Sequence, residues 1–498
     1  MGSTPTRDSR DLSRDLASTT TVSTQGGISK RQIGILSPAL LIPLACFAGA
    51  ALRLLLLGSK SMWLDEVRGL EVARLGVSRL WLGQSEAYHP PLFYILITPW
   101  ISRVESPFLL RLPAAIIDVF SLPLLYELTR RLINRRSALT SVWLAALSPL
   151  LIWYAQEFRS YSLLVFLALL ATVALVDLLR RPRLLPWLLF VGTMVAAFYL
   201  HYDALLLLPL HAALIIVVIA GGRTQFRSVL AWFAGVSAAA LGYWPWLRAP
   251  GAVRFLQLLV SDRSYPARLI ERTLGIGYTT LLPFIVIGAA VLALGGAALL
   301  WTGVRRFRPH LTALPTKPGV RTLAMTVFMV GLIVSVVPQG YTVKRHLLIA
   351  VPAILMVFAW IWPWERSNRA TLIVLLMMSL LASVINVVFI PKPQWDQATQ
   401  LVLDSEYSRE VVVTSPTYMS DPFNYYARGQ VPQLRIHDAD PSETLMDASD
   451  TYDYLWLVWH TADIGANLDQ IQAWLNQHAQ FVRSQSFYRI QVDLYQLP

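Results

Sequence analysis

The chain has 498 residues, 55% of them hydrophobic and only 14% charged, with a mean hydropathy of +0.50. That balance excludes an ordinary soluble domain and places the chain in a bilayer. The net charge of +12 is uneven: from Pro391 onward there are 6 basic and 14 acidic residues, which leaves about +20 on the part before it, so the basic excess belongs to loops beside apolar runs rather than to a nucleic-acid surface.

Residues 1–32 are rich in Ser, Thr, Asp and Arg and carry few large apolar side chains, which predicts a disordered cytoplasmic tail. The first apolar run is not followed by a small-residue cleavage site and reads as an uncleaved signal anchor. Cys46 lies within it; as the single cysteine it excludes a disulfide framework.

A membrane core of roughly 30 Å needs about 20 apolar residues per helix. Eleven runs meet this: Ile33–Leu57, Phe108–Leu128, Ala138–Tyr154, Leu163–Leu179, Leu184–Leu200, Ala204–Ala220, Val229–Trp246, Thr279–Trp301, Leu323–Val337, Leu347–Trp362 and Leu372–Ile390. The predicted fold class is a polytopic α-helical membrane protein whose transmembrane domain covers residues 33–390, with a catalytic first outer loop at about 58–107. Lys30-Arg31, Arg130-Arg131 with Arg135-Arg136, Arg180-Arg181, Arg223 with Arg227, Arg305-Arg306 and Arg366 with Arg369 then all fall on one side. The positive-inside rule makes that side cytoplasmic, with the amino terminus inside. Leu92–Val104 is apolar but too short to cross, and as a span it would put Arg130–Arg136 outside; it reads as re-entrant or interfacial.

Residues 391–498 change character. Val411–Val413 and Leu455–Val458 read as short strands, Leu468–Gln477 as an amphipathic helix and Phe487–Leu497 as a closing strand, with Ser420-Asp421-Pro422 as a turn. The prediction is a small extracytoplasmic α/β domain.

Sorted by side, the outer polar residues are the chemically richer set: Asp65 and Glu66, His89, then Glu157, Arg159 and Tyr161, then His201, Tyr202 and Asp203, then Lys344, Arg345 and His346. Ionisable groups at one membrane depth can converge on one cavity. Read alone, Asp65-Glu66 is either a solvated loop start or an active-site pair. In the functional reading Asp65 is a general base, and Glu66, which does not share its helical face, orients a partner. Lys344, Arg345 and His346 are either a charged helix start or, being cations on the side the positive-inside rule disfavours, a clamp for a lipid-borne phosphate. Inside the spans, Arg53 is expected to snorkel toward the outer surface, and Asp118, seven residues after Arg111 on the same helical face, to make a structural contact with another helix.

Nucleotide-binding glycine loops and paired-cysteine metal spacings are absent from the sequence. His89-Pro90-Pro91 and His201-Tyr202-Asp203 could offer metal ligands, although isolated histidines are more often hydrogen-bonded structural residues. A secondary transporter or flippase for an anionic lipid-linked substrate is the alternative. It would require paired broken spans and functional charges at mid-bilayer, where this chain has little beyond Asp118.

Trp63-Leu64-Asp65-Glu66, His89-Pro90-Pro91-Leu92, Arg111-Leu112-Pro113, Ser148-Pro149 leading to Glu157-Phe158-Arg159-Ser160-Tyr161, His201-Tyr202 and Arg345-His346-Leu347-Leu348 with Pro352 together resemble the C-type superfamily of lipid-phosphate-sugar-dependent membrane glycosyltransferases. Within it they resemble the family 39 protein mannosyltransferases and the lipid A aminoarabinose transferase. The resemblance implies inverting transfer of a sugar from a polyprenyl-phosphate donor to a protein, lipid or glycan, with no nucleic-acid partner. It implies a bacterial plasma membrane, with the site facing the periplasm or exterior. Asp65, Glu66 and Glu157 are then expected to be catalytic, Arg159, Lys344, Arg345 and His346 to hold the donor phosphate, and His89, Tyr161, His201 and Tyr202 to line the substrate site. Family members differ in needing a divalent cation, and the cofactor stays open.

Overall fold

The structure is a computed structural model that describes residues 38–81, 89–220, 226–250, 318–336, 345–436, 441–462 and 467–498, with residues 2, 253 and 465 beside them. The tail other than Gly2, the predicted span Thr279–Trp301 and Lys344 lie outside the described residues.

The apolar runs become helices: α1 (Pro38–Leu54), α2 (Leu64–Arg74), α3 (Val77–Trp81), α4 (Leu92–Ile101), α5 (Pro107–Leu132), α6 (Arg135–Ala146), α7 (Pro149–Ala155), α8 (Tyr161–Arg180), α9 (Leu184–Leu200), α10 (Leu207–Ala220), α11 (Phe226–Leu247), α12 (Pro318–Val336), α13 (Val351–Ile361) and α14 (Arg369–Val388). Among the described residues, Pro107–Leu132, Tyr161–Arg180 and Arg366–Val388 are long and apolar enough to cross a membrane, and the α6–α7 pair is a fourth if counted as one broken span. Side-chain caps open three of these helices: Ser106 accepts from Leu109 N, Asn134 from Ser137 N and Ser148 from Leu151 N. α8 is central, packed on α5 and α9, and α9 packs in turn on α11.

Two expectations change here. Ala138–Tyr154, read as one span, is bent by 53° between α6 and α7. Pro149 cannot donate a helical hydrogen bond and holds Ser148 in extended backbone (ψ 116°). Arg53 does not snorkel. Its Nε donates to Asp118 Oδ2 at 2.6 Å, and its remaining nitrogens reach the carbonyls of Gly49, Ala145 and Ala146. The expected contact of Asp118 with another helix is therefore this ion pair to α1. Gly49 leaves the room: a Cβ there would stand 3.1 Å from Arg53 Nη1.

Beyond Ile390 the chain forms a small sheet with helices, α15 (Trp395–Leu403), α16 (Ser420–Ala427), α17 (Ser442–Ser449) and α18 (Leu468–His478) beside β1 (Glu410–Ser415), β2 (Gln433–Leu434), β3 (Tyr454–His460), β4 (Gln480–Phe487) and β5 (Ile490–Gln496). The strand order is β2-β1-β3-β5-β4; β1 runs parallel to β2 and β3, whereas β5 is antiparallel to β3 and β4. Ser420-Asp421-Pro422 opens α16 instead of making a turn, because proline is tolerated in a helix's first turn. Phe487 ends β4, and the closing strand starts at Ile490.

These elements sit on α2 and on the turn between α1 and α2. Tyr426 Oη accepts from Met62 N at 2.6 Å, Ser61 Oγ accepts from Asp396 N at 3.3 Å and Arg68 pairs with Asp421 at 2.8 Å. All three contacts grip α2 or the turn leading into it.

Candidate active site

α2 begins after Trp63, which is extended, and carries Asp65 and Glu66 in its first turn, where the helix dipole favours negative charge. Successive residues on a helix point about 100° apart, so the two carboxylates part company. Glu66 is fully buried. Arg111 of α5 grips it in a two-pronged ion pair, Nε to Oε1 and Nη2 to Oε2, both at 2.8 Å. Phe158 N donates to Oε1 at 2.8 Å and Lys392 Nζ to Oε2 at 3.2 Å. Burial by itself would raise this carboxyl's pKa, but Arg111, Lys392 and the two sets of hydrogen bonds outweigh it and hold the group at about 2. Arg111 also donates to the carbonyls of Leu57, Lys60 and Ser61, so one guanidinium fastens the turn between α1 and α2.

Glu157, in the loop between α7 and α8, is buried too. Its Oε1 lies 3.4 Å from Lys392 Nζ, while Oε2 makes no hydrogen bond. Burial pushes its pKa up, Lys392 opposes this, and Glu66 and Asp65 add to the rise.

Asp65 faces elsewhere. Its side chain is 23% exposed and its Oδ2 accepts from Arg345 Nη1 at 2.6 Å. Arg159 Nη1 donates to the Asp65 carbonyl at 3.0 Å, and the Arg159 guanidinium lies 5.9 Å from the Tyr161 ring. Two cations from distant segments thus meet at Asp65, Arg345 at its carboxylate and Arg159 at its backbone carbonyl.

The histidines complete the neighbourhood. His201 stacks on His89 with ring centroids 5.1 Å apart, and its ring lies 5.7 Å from Tyr161 and 6.4 Å from His346. Tyr202 is 6.2 Å from His89. Burial chiefly, and neighbouring positive groups, hold both His89 and His201 at about 3, so both rings are neutral at physiological pH. Geometry agrees for His201, whose Nδ1 accepts from Asp203 N at 3.1 Å. His346 Nδ1 lies 2.8 and 2.9 Å from the Asp203 carboxylate oxygens; because a carboxylate only accepts, that nitrogen carries a proton. Among the described residues, no group of three or more His, Cys, Asp or Glu side chains is placed to hold a metal ion.

The residues singled out from the sequence therefore come together, apart from Lys344, but as two groups. Asp65, Arg345, Arg159, Tyr161, His89, His201, Tyr202 and His346 make one cluster, and Glu66 and Glu157 pair with Arg111 and Lys392 in another. Sequence reasoning assigned no role to Arg111, although it stands in one of the motifs, and passed over Lys392. The one signal for Lys392 is a cation between two prolines just past the last apolar run.

Residues 88–247 match the family described as dolichyl-phosphate-mannose-protein mannosyltransferase, a segment that includes His89, Arg111, Glu157, Arg159, Tyr161 and His201. No curated protein matches the chain. Among solved structures, the archaeal oligosaccharyltransferase AglB from Archaeoglobus fulgidus, in complex with an inhibitory peptide and a dolichol-phosphate, is similar at TM-score 0.50 and 11% identity, over 92% of this chain and 74% of that one. The Archaeoglobus fulgidus oligosaccharyltransferase in complex with Zn and sulfate gives 0.51 and 11%, over 89% and 71%. ArnT from Cupriavidus metallidurans in the apo state gives 0.49 and 14%, over 92% and 97%.

Proposed function

We propose, on the premise that this membrane protein has the fold of the C-type glycosyltransferases, that it moves a sugar from a polyprenyl-phosphate donor to an acceptor on a protein, lipid or glycan. The reading includes eleven membrane crossings with the amino terminus inside, so that the Asp65 cluster and the C-terminal domain face the periplasm or exterior of a bacterial plasma membrane. The observation that carries it is Asp65: a part-exposed carboxylate paired with the guanidinium of Arg345, on a residue whose backbone carbonyl receives Arg159.

In this reaction Asp65 takes the proton of the acceptor hydroxyl, and the acceptor oxygen attacks the anomeric carbon. The bond from that carbon to the phosphate oxygen breaks, and its electron pair leaves with the polyprenyl phosphate. A single displacement inverts the anomeric configuration. Arg345 and Arg159 carry the cationic, two-pronged donor groups suited to the phosphate, and they stabilise the charge that develops on its departing oxygen. The neutral rings of His89 and His201, with Tyr161 and Tyr202, offer stacking faces and hydrogen bonds to a sugar without adding charge. The dolichol-phosphate in the AglB complex supports a donor of this class.

The transporter reading loses its main support in the structure. Asp118, the mid-span charge it would need, is neutralised by Arg53 in a buried ion pair.

The test is turnover of radiolabelled polyprenyl-phosphate sugars by purified protein. Asp65→Asn is expected to lower it by about 10²–10⁴-fold, the usual contribution of a general base. Turnover unchanged by that substitution would overturn the mechanism.

A further inference from the structure

One buried cation has no part in the transfer as described. Lys392 follows α14 by four residues, sits between Pro391 and Pro393 and is 4% exposed. Its ammonium lies 3.2 Å from Glu66 Oε2 and 3.4 Å from Glu157 Oε1, between the rings of Trp63 and Trp153, each 5.9 Å away. Glu66 and Glu157 belong to the two outer loops that present Asp65 and Arg159. We propose that Lys392 is a positioning residue: through this one ammonium, the segment that leads into the C-terminal domain locks the two outer loops in register and completes the active site. The inference rests on the glycosyltransfer reading.

Hydrogen-bond supply makes Lys392 hard to replace. A guanidinium has five N–H donors, and Arg111 directs all of its own to Glu66 and to the carbonyls of Leu57, Lys60 and Ser61. None is left for Glu157. Lys60 is engaged as well, donating to the Asn386 carbonyl at 2.7 Å and lying over the Trp153 ring at 4.3 Å. Lys392 is therefore the cation that serves both carboxylates. Lys392 is the cation in direct contact with Glu157, and without it that buried carboxylate has no ion-pair partner within reach among the described residues, a costly arrangement. Glu157 is the group that must take up a proton, since one of its oxygens has no partner and burial already raises its pKa. The charged and titratable groups around it are Asp65 and Glu66 from α2, Lys60 from the turn before it, Arg111 from α5, and Tyr154 and Tyr161 at the ends of α7 and α8.

The experiment compares the full-length wild type with Lys392→Met, Lys392→Arg and the double variant Lys392→Met/Glu157→Gln, reading kcat and KM for the donor, and Tm in detergent, across pH. Lys392→Met is expected to lower kcat by about 10²-fold, as a misplaced catalytic group does, with donor KM changed far less. Its deficit in kcat and in Tm grows as pH rises, because deprotonating Glu157 there leaves the unpaired charge. Lys392→Arg recovers most of the kcat, and the double variant loses the pH dependence of the Tm deficit. A deficit that is the same at every pH and is not relieved by Glu157→Gln would reduce Lys392 to packing and overturn the inference, as would a Lys392→Met protein with wild-type kcat and Tm. A wild type that turns over no donor breaks the functional reading instead, and the Tm series then still decides whether Lys392 is the strut.

Discussion

Asp65 and Glu66 are chemically similar neighbours on one helical turn, yet the fold treats them as opposites. Asp65 is part-exposed and held by one guanidinium nitrogen; Glu66 is sealed from water and receives hydrogen bonds from Arg111, the Phe158 amide and Lys392. A carboxylate whose hydrogen-bonding capacity is filled by protein cannot also accept a substrate proton. On the proposed function, burial with complete pairing suits Glu66 to support, and exposure with incomplete pairing suits Asp65 to react. The sharpest way to break this contrast is to neutralise each in turn. Asp65→Asn is expected to remove about 10²–10⁴-fold of turnover with little change in Tm, whereas Glu66→Gln is expected to lower Tm first and turnover through it. Equal Tm losses in the two variants would erase the distinction.

The support can also be attacked from its cation. Arg111→Met leaves Glu66 with Lys392 and the Phe158 amide and strips the turn between α1 and α2 of three carbonyl contacts. Removing one partner of a buried ion pair costs about 3–5 kcal/mol, so thermal unfolding in detergent should show a large drop. A loss below about 1 kcal/mol, the level of exposed pairs, would mean that the pair does not hold the loop.

Acid gives a third, smaller effect. Glu66 is held at about 2 against an ordinary value of 4.5, so its pairing stabilises the fold fully above about pH 4.5 and is lost as pH falls from there toward 2. Glu66→Gln should therefore flatten the acid side of the Tm profile. An acid slope identical in wild type and variant would assign the loss to other carboxylates.

What the sequence disclosed and what it withheld follow from the range of the physics. Val411–Val413 and Leu455–Val458 were legible as strands because a sheet strand covered on both faces is a short apolar run. β4 was not, because its residues lie exposed at the sheet edge and read as polar chain. Net charge by loop was enough to group Asp65 with Arg159 and Arg345. It could not tell that Asp65 and Arg345, 280 residues apart, form a pair, nor that Glu66 would turn inward. Arg53 shows the same limit: a local rule sends it to the surface, and a partner 65 residues away keeps it inside. Lys392 was invisible because a lone lysine at the end of a span is usually an interfacial anchor, and only the position of the two loops gives it another task.

The smallest effect belongs to an exposed link between the C-terminal segment and α2. Arg68 and Asp421 pair at 2.8 Å with side chains 45% and 21% exposed, and Arg68 also lies 5.3 Å from the Tyr418 ring. Solvent screens such a pair, so Arg68→Ala should cost no more than about 1 kcal/mol and leave turnover near wild type. The same segment reaches the same helix through Lys392, where the ammonium is buried and both acceptors are carboxylates. If the segment works through its charged core contact, Arg68→Ala and Lys392→Met must differ widely in kcat. Comparable kcat losses would mean that docking as a whole, rather than the buried ammonium, sets the geometry of Asp65.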